Sequence, residues 1–455
     1  MARKIRWGVA PVALALVVLT ATAALAVVTW SAPNGTSATP GRLGPNYTWN
    51  NGDPVLANDA DGSISAAYVS DYTKGVYACD GSGTYLSNFY TRSTDGGQTW
   101  SNGFRLNGKY HADRVTLVSS GTHVVTFFMS QTLYWACPGG SSFDTTKPRY
   151  IYVRSNSANG AAGSWGAAAK LPGQTTNSRG DYLYSASSGA DIYLVTTNTA
   201  TGKIWLWQSH NSGTSFTGPT NVGATTATDT TSGYVGGFSG LPAVAATGAN
   251  VVVTWVSDPG GAVQAAVSTN SGTSFGAATQ LVASGGNANN GYVQADGLGN
   301  RLAVTWTTAA GAFVDVYDTV GATWGTAHTI VSFPDGGGGI GTNNQGGEGA
   351  IVSLSGTNGI SIMLSECNNT GTSTCNNAAL SEEKTREALV YYSSSDNGAT
   401  FPTRSVITVP GTKKGTYVNN YGDMIIYNSK PFVLWNGHDA AYAAYTNQIR
   451  VGSGL

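Results

Sequence analysis

Charge is scarce in this chain. Only 10% of its 455 residues are Asp, Glu, Lys or Arg, and the 23 basic and 24 acidic side chains leave a net charge of −1. A nucleic-acid binder would carry a basic stripe, and none is present, so no nucleic acid is expected as a partner. Cysteine is limited to four residues with no CxxC pair, which argues against a redox centre. There is no HExxH helix, no Walker loop and no GxSxG elbow. The glycine-rich "DGGGGIG" at 335–341 lacks the Lys-Ser/Thr that would follow in a phosphate loop. "NDADG" reads as an Asp-containing turn rather than a calcium loop. No metal and no cofactor are therefore expected.

What the chain does have is glycine, 61 residues of it, among short apolar runs rich in Ser, Thr, Asn and Ala. Glycine supplies the positive-φ positions that tight turns need, so many strands joined by turns are expected. Aromatic residues make up 10% of the chain, which argues against disorder. At the N-terminus, Arg3, Lys4 and Arg6 precede a long apolar stretch, and Ala24 and Ala26 offer a small-x-small cut. Residues 1–30 read as a secretory signal, or as a membrane anchor if uncut. Residues 31–45 read as a flexible leader. Secretion is the expected localisation, with membrane contact only through an uncut N-terminus.

Internal repetition is the strongest signal. Four octets, "STDGGQTW" (93–100), "SHNSGTSF" (209–216), "STNSGTSF" (268–275) and "SSDNGATF" (394–401), share one pattern. Ser stands first, Asp or Asn third, Gly fifth, Ser or Thr seventh, and an aromatic residue last. A weaker copy, "YDTVGATW", ends at Trp324, and a longer relative, "SNSANGAAGSW", ends at Trp165. A short Asp or Asn side chain can accept backbone N–H groups across a tight turn. The glycine takes a positive φ, and the last aromatic packs between sheets. Each octet therefore reads as a self-stapled hairpin.

The octet resembles the Asp-box, or bacterial neuraminidase repeat, of sialidases and other secreted β-propellers. The flanking pattern agrees. Each octet lies between the third and fourth of four alternating runs, as in "PVLAN", "SISAAYVS", "YLSNFYTRS" and "FRLNG" of the first unit. Comparable units begin near Asp53, Asp113, Asp181, Pro242, Val293, Gly349 and Asp423. Unit lengths of roughly 40 to 70 residues suit propeller blades. The expected fold is all-β: a β-propeller of four-stranded antiparallel blades over residues 46–455. Seven blades are expected, with six plus a terminal sheet as the alternative. The last unit shows three runs, so an N-terminal strand near "NYTWN" (46–50) is expected to close the ring.

Strand order puts the octets and the first-to-second turns on one face. The second-to-third loops and the blade-to-blade connections open on the other. By that placement Cys79 pairs with Cys137, and Cys367 with Cys375. The resemblance implies that the second face carries the site. There it implies Asp71 as acid/base, Tyr421 as nucleophile and Glu348 as the base that draws its proton. Arg114, Arg179 and Arg386 are the implied carboxylate ligands, because guanidinium matches carboxylate geometry. Asp53, Asp113, Asp181 and Asp423 recur at blade starts and read as structural. Trp135 offers an aromatic face for substrate binding. The expected function is a secreted sialidase-like glycoside hydrolase, a monomer acting on extracellular glycans or glycoproteins. The alternative is a non-catalytic propeller that binds carbohydrate or protein. That alternative is motivated by "GDPVLAND", which has no arginine at the blade start where the family carries Arg-Ile-Pro.

Overall fold

A computed structural model of the chain describes residues 28–30, 51–72, 85–101, 103–107, 112–131, 149–175, 183–198, 201–226, 242–258, 260–283, 288–308, 311–332, 350–367, 387–407, 418–438 and 445–451. The described residues form 28 β-strands and no helix.

The strands make seven antiparallel sheets, each a simple up-and-down run. The first is β1 (Asn51–Asn58), β2 (Ile64–Tyr72), β3 (Tyr85–Ser93) and β4 (Phe104–Arg105). The second is β5 (Ala112–Ser120), β6 (His123–Gln131), β7 (Arg149–Asn156) and β8 (Ala169–Lys170). The third is β9 (Tyr184–Ser188), β10 (Asp191–Asn198), β11 (Lys203–Ser209) and β12 (Thr217–Ala224). The fourth is β13 (Ala243–Thr247), β14 (Asn250–Val256), β15 (Val263–Ser268) and β16 (Thr279–Val282). The fifth is β17 (Ala288–Leu298), β18 (Arg301–Thr308), β19 (Gly311–Asp318), β20 (Thr323–Trp324) and β21 (His328–Ser332). The sixth is β22 (Ile351–Ser355), β23 (Gly359–Cys367), β24 (Glu387–Ser394) and β25 (Thr403–Val406). The seventh is β26 (Val418–Tyr427), β27 (Lys430–His438) and β28 (Tyr445–Val451). In the fifth sheet β20 and β21 both pair with β19, at opposite ends, so they act as one interrupted outer strand.

The sheets stack side by side as the blades of a propeller. Seven apolar clusters fill the seven gaps between neighbouring blades. Because both faces of a blade are covered, its inner strands are apolar almost throughout. In "NVVVTWV" of β14 every residue after Asn250 is buried. Large side chains anchor the gaps, including Trp207 between the second and third blades and Trp435 between the sixth and seventh. Burying each such side chain contributes about 1.5–3 kcal/mol. The ring closes where Phe432 and Leu434 of the last blade pack on Leu56, Tyr68 and Phe89 of the first. Asn58 Nδ2 also donates to the Ile426 carbonyl at 2.9 Å across this seam. The expected closing strand at 46–50 lies outside the described residues.

The octets behave as hairpin staples. In the first, Gly97 N donates to Ser93 Oγ at 2.8 Å and Thr99 N donates to Asp95 Oδ1 at 2.9 Å. The same pair of bonds recurs at Ser209 and Asn211, at Ser268 and Asn270, and at Ser394 and Asp396. In the longer relative, Asn156 Oδ1 accepts Gly160 N at 3.0 Å and takes the serine's part. The pattern left one feature unread: the fourth position is left-handed too, with Gly96 at φ 72°, Ser212 and Ser271 at 52° and Asn397 at 61°. Two consecutive positive-φ residues give the reversal that suits strand twist. The fifth-position glycine also meets the preceding blade. A Cβ on Gly213 would lie 2.5 Å from Val125 Cγ2, and one on Gly97 would lie 2.5 Å from the Phe432 ring. The closing aromatics are half-buried, as Phe216 is against Phe127 at 5.4 Å between ring centres.

Candidate functional site

One strand of each blade lines a central channel. Toward the entry ends of those strands the channel wall is made by Val55, Arg114, Leu183, Ala243, Gln294, Ile351 and Gly422, and this end is one mouth. The other end is lined by their last residues, next to the first-to-second turns and so to the octets. The first mouth therefore opens on the face where the blade-to-blade connections lie, the face expected to carry the site. It holds a cavity of about 230 Å³.

Several innermost strands break register at this mouth. Bulges fall between Gly52 and Val55 in β1, Asp113 and Val115 in β5, Ala288 and Val293 in β17, and Val418 and Gly422 in β26. A bulge bends its strand and re-aims a side chain, and bulges gather next to active sites. Arg114 sits in the β5 bulge at φ 51°, an uncommon conformation for a residue with a side chain. It lines the mouth half-buried. Its carbonyl accepts Asn88 Nδ2 of the first blade at 3.4 Å, which helps hold the bulge.

Two carboxyls stand on the same channel wall. Asp423 Oδ2 accepts Leu56 N of the next blade at 2.7 Å, and its Oδ1 accepts Met424 N at 2.7 Å. Asp296 Oδ2 accepts Leu354 N of the next blade at 2.7 Å, and its Oδ1 accepts Gly297 N at 2.8 Å. An innermost strand is an edge, so its N–H groups need partners, and these carboxyls supply them. Each touches the channel yet is surrounded by protein. Loss of hydration raises the Asp296 carboxyl from 3.8 to about 6, against the lowering effect of its backbone donors and Arg301. Asp423 rises from 3.8 to about 7, first by desolvation, with the Asp296 charge adding to it. Thr116 Oγ1 and Ser185 Oγ, 2.8 Å apart, join the second and third blades on this wall. Chemically, the mouth offers a guanidinium for an anionic group. It also offers carboxyls that hold a proton near neutrality and hydroxyls that both donate and accept. Among the described residues no three His, Cys, Asp or Glu side chains gather as a metal site.

Of the residues singled out by sequence, Arg114 is in the mouth. Tyr421 belongs to β26, next to the mouth residue Gly422, with its side chain outside the described residues. Asp71 is the second-last residue of β2, opposite Leu86, and its side chain is likewise outside them. Cys367 ends β23 opposite Glu387, with the same limit. Glu348, Arg179, Arg386, Trp135, Cys79, Cys137 and Cys375 lie outside the described residues. Asp423 takes the structural part expected of a blade-start aspartate. Asp296, Gln294 and Tyr184 were not singled out. Each stands within an ordinary alternating strand, and only ring closure brings them together.

No protein-family model matches the chain, and no curated protein matches it. Solved structures do. A protein of unknown function from Dyadobacter fermentans matches at 12% identity and a TM-score of 0.48, covering 91% of this chain and 97% of its own. A Hadza microbial sialidase matches at 9% identity and a TM-score of 0.47, covering 89% of this chain and 66% of its own. Trypanosoma rangeli sialidase matches at 10% identity and a TM-score of 0.48, covering 92% of this chain and 59% of its own. The chain thus spans about two thirds or less of the length of these two sialidases.

Proposed function

We propose that this protein is a secreted, monomeric Asp-box propeller of the sialidase-like kind that hydrolyses extracellular glycans at the channel mouth. The observation that carries this reading is Arg114. It is a guanidinium held by a strained bulge at the mouth of the expected face, one residue type suited to a sugar carboxylate. Tyr421 would be the nucleophile, an exception among glycosidases that a phenol can fill when a carboxylate takes its proton. Glu348 would be that carboxylate, and Asp71 the acid/base. Arg179 and Arg386 would complete the carboxylate clamp, and Trp135 would stack on the sugar. Two disulfides, Cys79–Cys137 and Cys367–Cys375, would pin the loops of that face.

The test is turnover of fluorogenic α-sialosides and neutral glycosides by the purified full-length chain. Sialoside cleavage that is lost in Tyr421→Phe and weakened at least tenfold in Arg114→Lys is the expected result. Cleavage of neutral sugars alone would move the chemistry to a carboxylate pair. A second reading, a glycan-binding propeller without turnover, is favoured by one observation. The two carboxyls of the described wall are each engaged by two backbone donors. Glycan retention without cleavage of any substrate, lost in Trp135→Ala, would establish that reading instead.

A further inference from the structure

Val28, Thr29 and Trp30 lie in a part of the chain expected to be removed or left outside the fold. Their burial says otherwise. Val28 is 5% exposed and sits in the core between the sixth and seventh blades, with Tyr391, Ile407, Met424 and Trp435. Its carbonyl accepts Ser405 Oγ at 2.8 Å. Trp30 Nε1 donates to the same hydroxyl at 3.0 Å, and its ring meets Tyr391 edge-on at 5.5 Å. Thr29 between them is exposed. Buried, exposed, half-buried over three residues is the period of a strand. Ser405 belongs to β25, the outermost strand of the sixth blade. The seventh blade has three strands among the described residues where its neighbours have four or more.

We propose that Val28–Trp30 is a retained clasp that serves as the outer element of the seventh blade and seals its gap with the sixth. Export processing would then stop upstream of Val28, which fits a cut after Ala26. The boundary between signal and folded domain would move from residue 30 to residue 27. The slot is a binding site for an apolar-x-aromatic segment, filled by the chain's own N-terminal end. Ser405 reads both ends of that segment through one hydroxyl, as donor to the Val28 carbonyl and acceptor from the Trp30 indole.

The test is made on the full chain expressed in an exporting host. Mass spectrometry of the recovered protein should place its first residue at Val28 or earlier. Hydrogen exchange should show protection of the amides at 28–30 comparable to that of β25. Val28→Asp and Trp30→Ala should each lower Tm by several degrees. Should those two fail to yield folded protein, Trp30→Phe keeps an aromatic ring against Tyr391 while removing the donor to Ser405 and part of the ring, and should lower Tm by a smaller amount. A mature protein that begins at Ser31 or later overturns the proposal. So does rapid exchange at 28–30 in a protein that retains them. None of these outcomes depends on whether the channel mouth is catalytic.

Discussion

Replacing Gly97 with alanine tests the claim that the octets seal one blade against its neighbour. Gly97 has φ 86°, and a Cβ there would stand 2.5 Å from the Phe432 ring of the last blade. Two costs follow. Holding a residue with a Cβ in the left-handed region costs about 1–2 kcal/mol. Forcing a methyl into the packed seam costs about 1–3 kcal/mol more, because Phe432 is fully buried and has nowhere to move. The total is about 2–5 kcal/mol. Gly121 is the internal control. Its φ is 58°, and nothing lies within 4 Å of its would-be Cβ. Gly121→Ala should therefore cost only about 1–2 kcal/mol. Urea unfolding of both variants beside the parent chain measures the difference. Phe432→Leu, combined with Gly97→Ala, should cost at least about 1 kcal/mol less than the two single losses added. Equal destabilisation by Gly97→Ala and Gly121→Ala, with additive behaviour at Phe432, would refute the idea that octet glycines are required by inter-blade contact.

Removing the first hydroxyl of an octet should be costly although no contact with another blade is lost. Ser209→Ala leaves the Gly213 N–H buried without its acceptor and should destabilise by about 1–3 kcal/mol in the same unfolding assay, whereas Ser209→Thr should retain most of the stability. The channel carboxyls predict a pH dependence of known sign. Asp423 and Asp296 hold their protons more tightly in the folded chain than at the ordinary value of 3.8. The folded state therefore binds more protons between about pH 4 and 7, so stability falls as pH rises through that window and levels off above it. Asp423→Asn removes the larger share, and its Tm should fall less than the parent's from pH 4 to 8. Parallel Tm profiles in the two proteins would contradict the desolvated state of this carboxyl.

The architecture was legible because the signals that make it are local. Ser, Asp or Asn, and Gly at fixed offsets close a turn within eight residues, and the alternating runs beside them need no distant partner. The unit starts expected near Pro242, Val293 and Gly349 fall close to β13, β17 and β22. What the pattern did not carry was contact between units. Nothing in "QADG" distinguishes Asp296 from other strand aspartates until Leu354 of the next blade is placed beside it. Nothing in "VVTW" separates the end of an apolar leader from a clasp until Tyr391 and Ser405 stand opposite it. Arg114 is legible in the sequence only as a guanidinium suited to a carboxylate. The bulge that turns it to the mouth depends on register with Met129 and Phe128, which the sequence of one strand does not encode.

The two faces of the ring divide the constraints between them. On the octet face four blades repeat one hydrogen-bonded turn, and the glycine of each such turn reaches onto the preceding blade, so a change in one position disturbs two blades. On the other face the connections differ in length and composition from blade to blade, and four of the seven innermost strands bulge rather than end cleanly. A ring stitched on one side leaves the other side free to carry residues that do not suit a repeat. Arg114 in a left-handed bulge and two desolvated carboxyls on the channel wall are conformational and electrostatic costs. The seven apolar seams are large enough to offset them. That is why departures from the repeat, rather than the repeat itself, mark where chemistry should be sought in this fold. It is also why a loss of activity with unchanged Tm in Arg114→Lys would separate the mouth's function from the ring's stability.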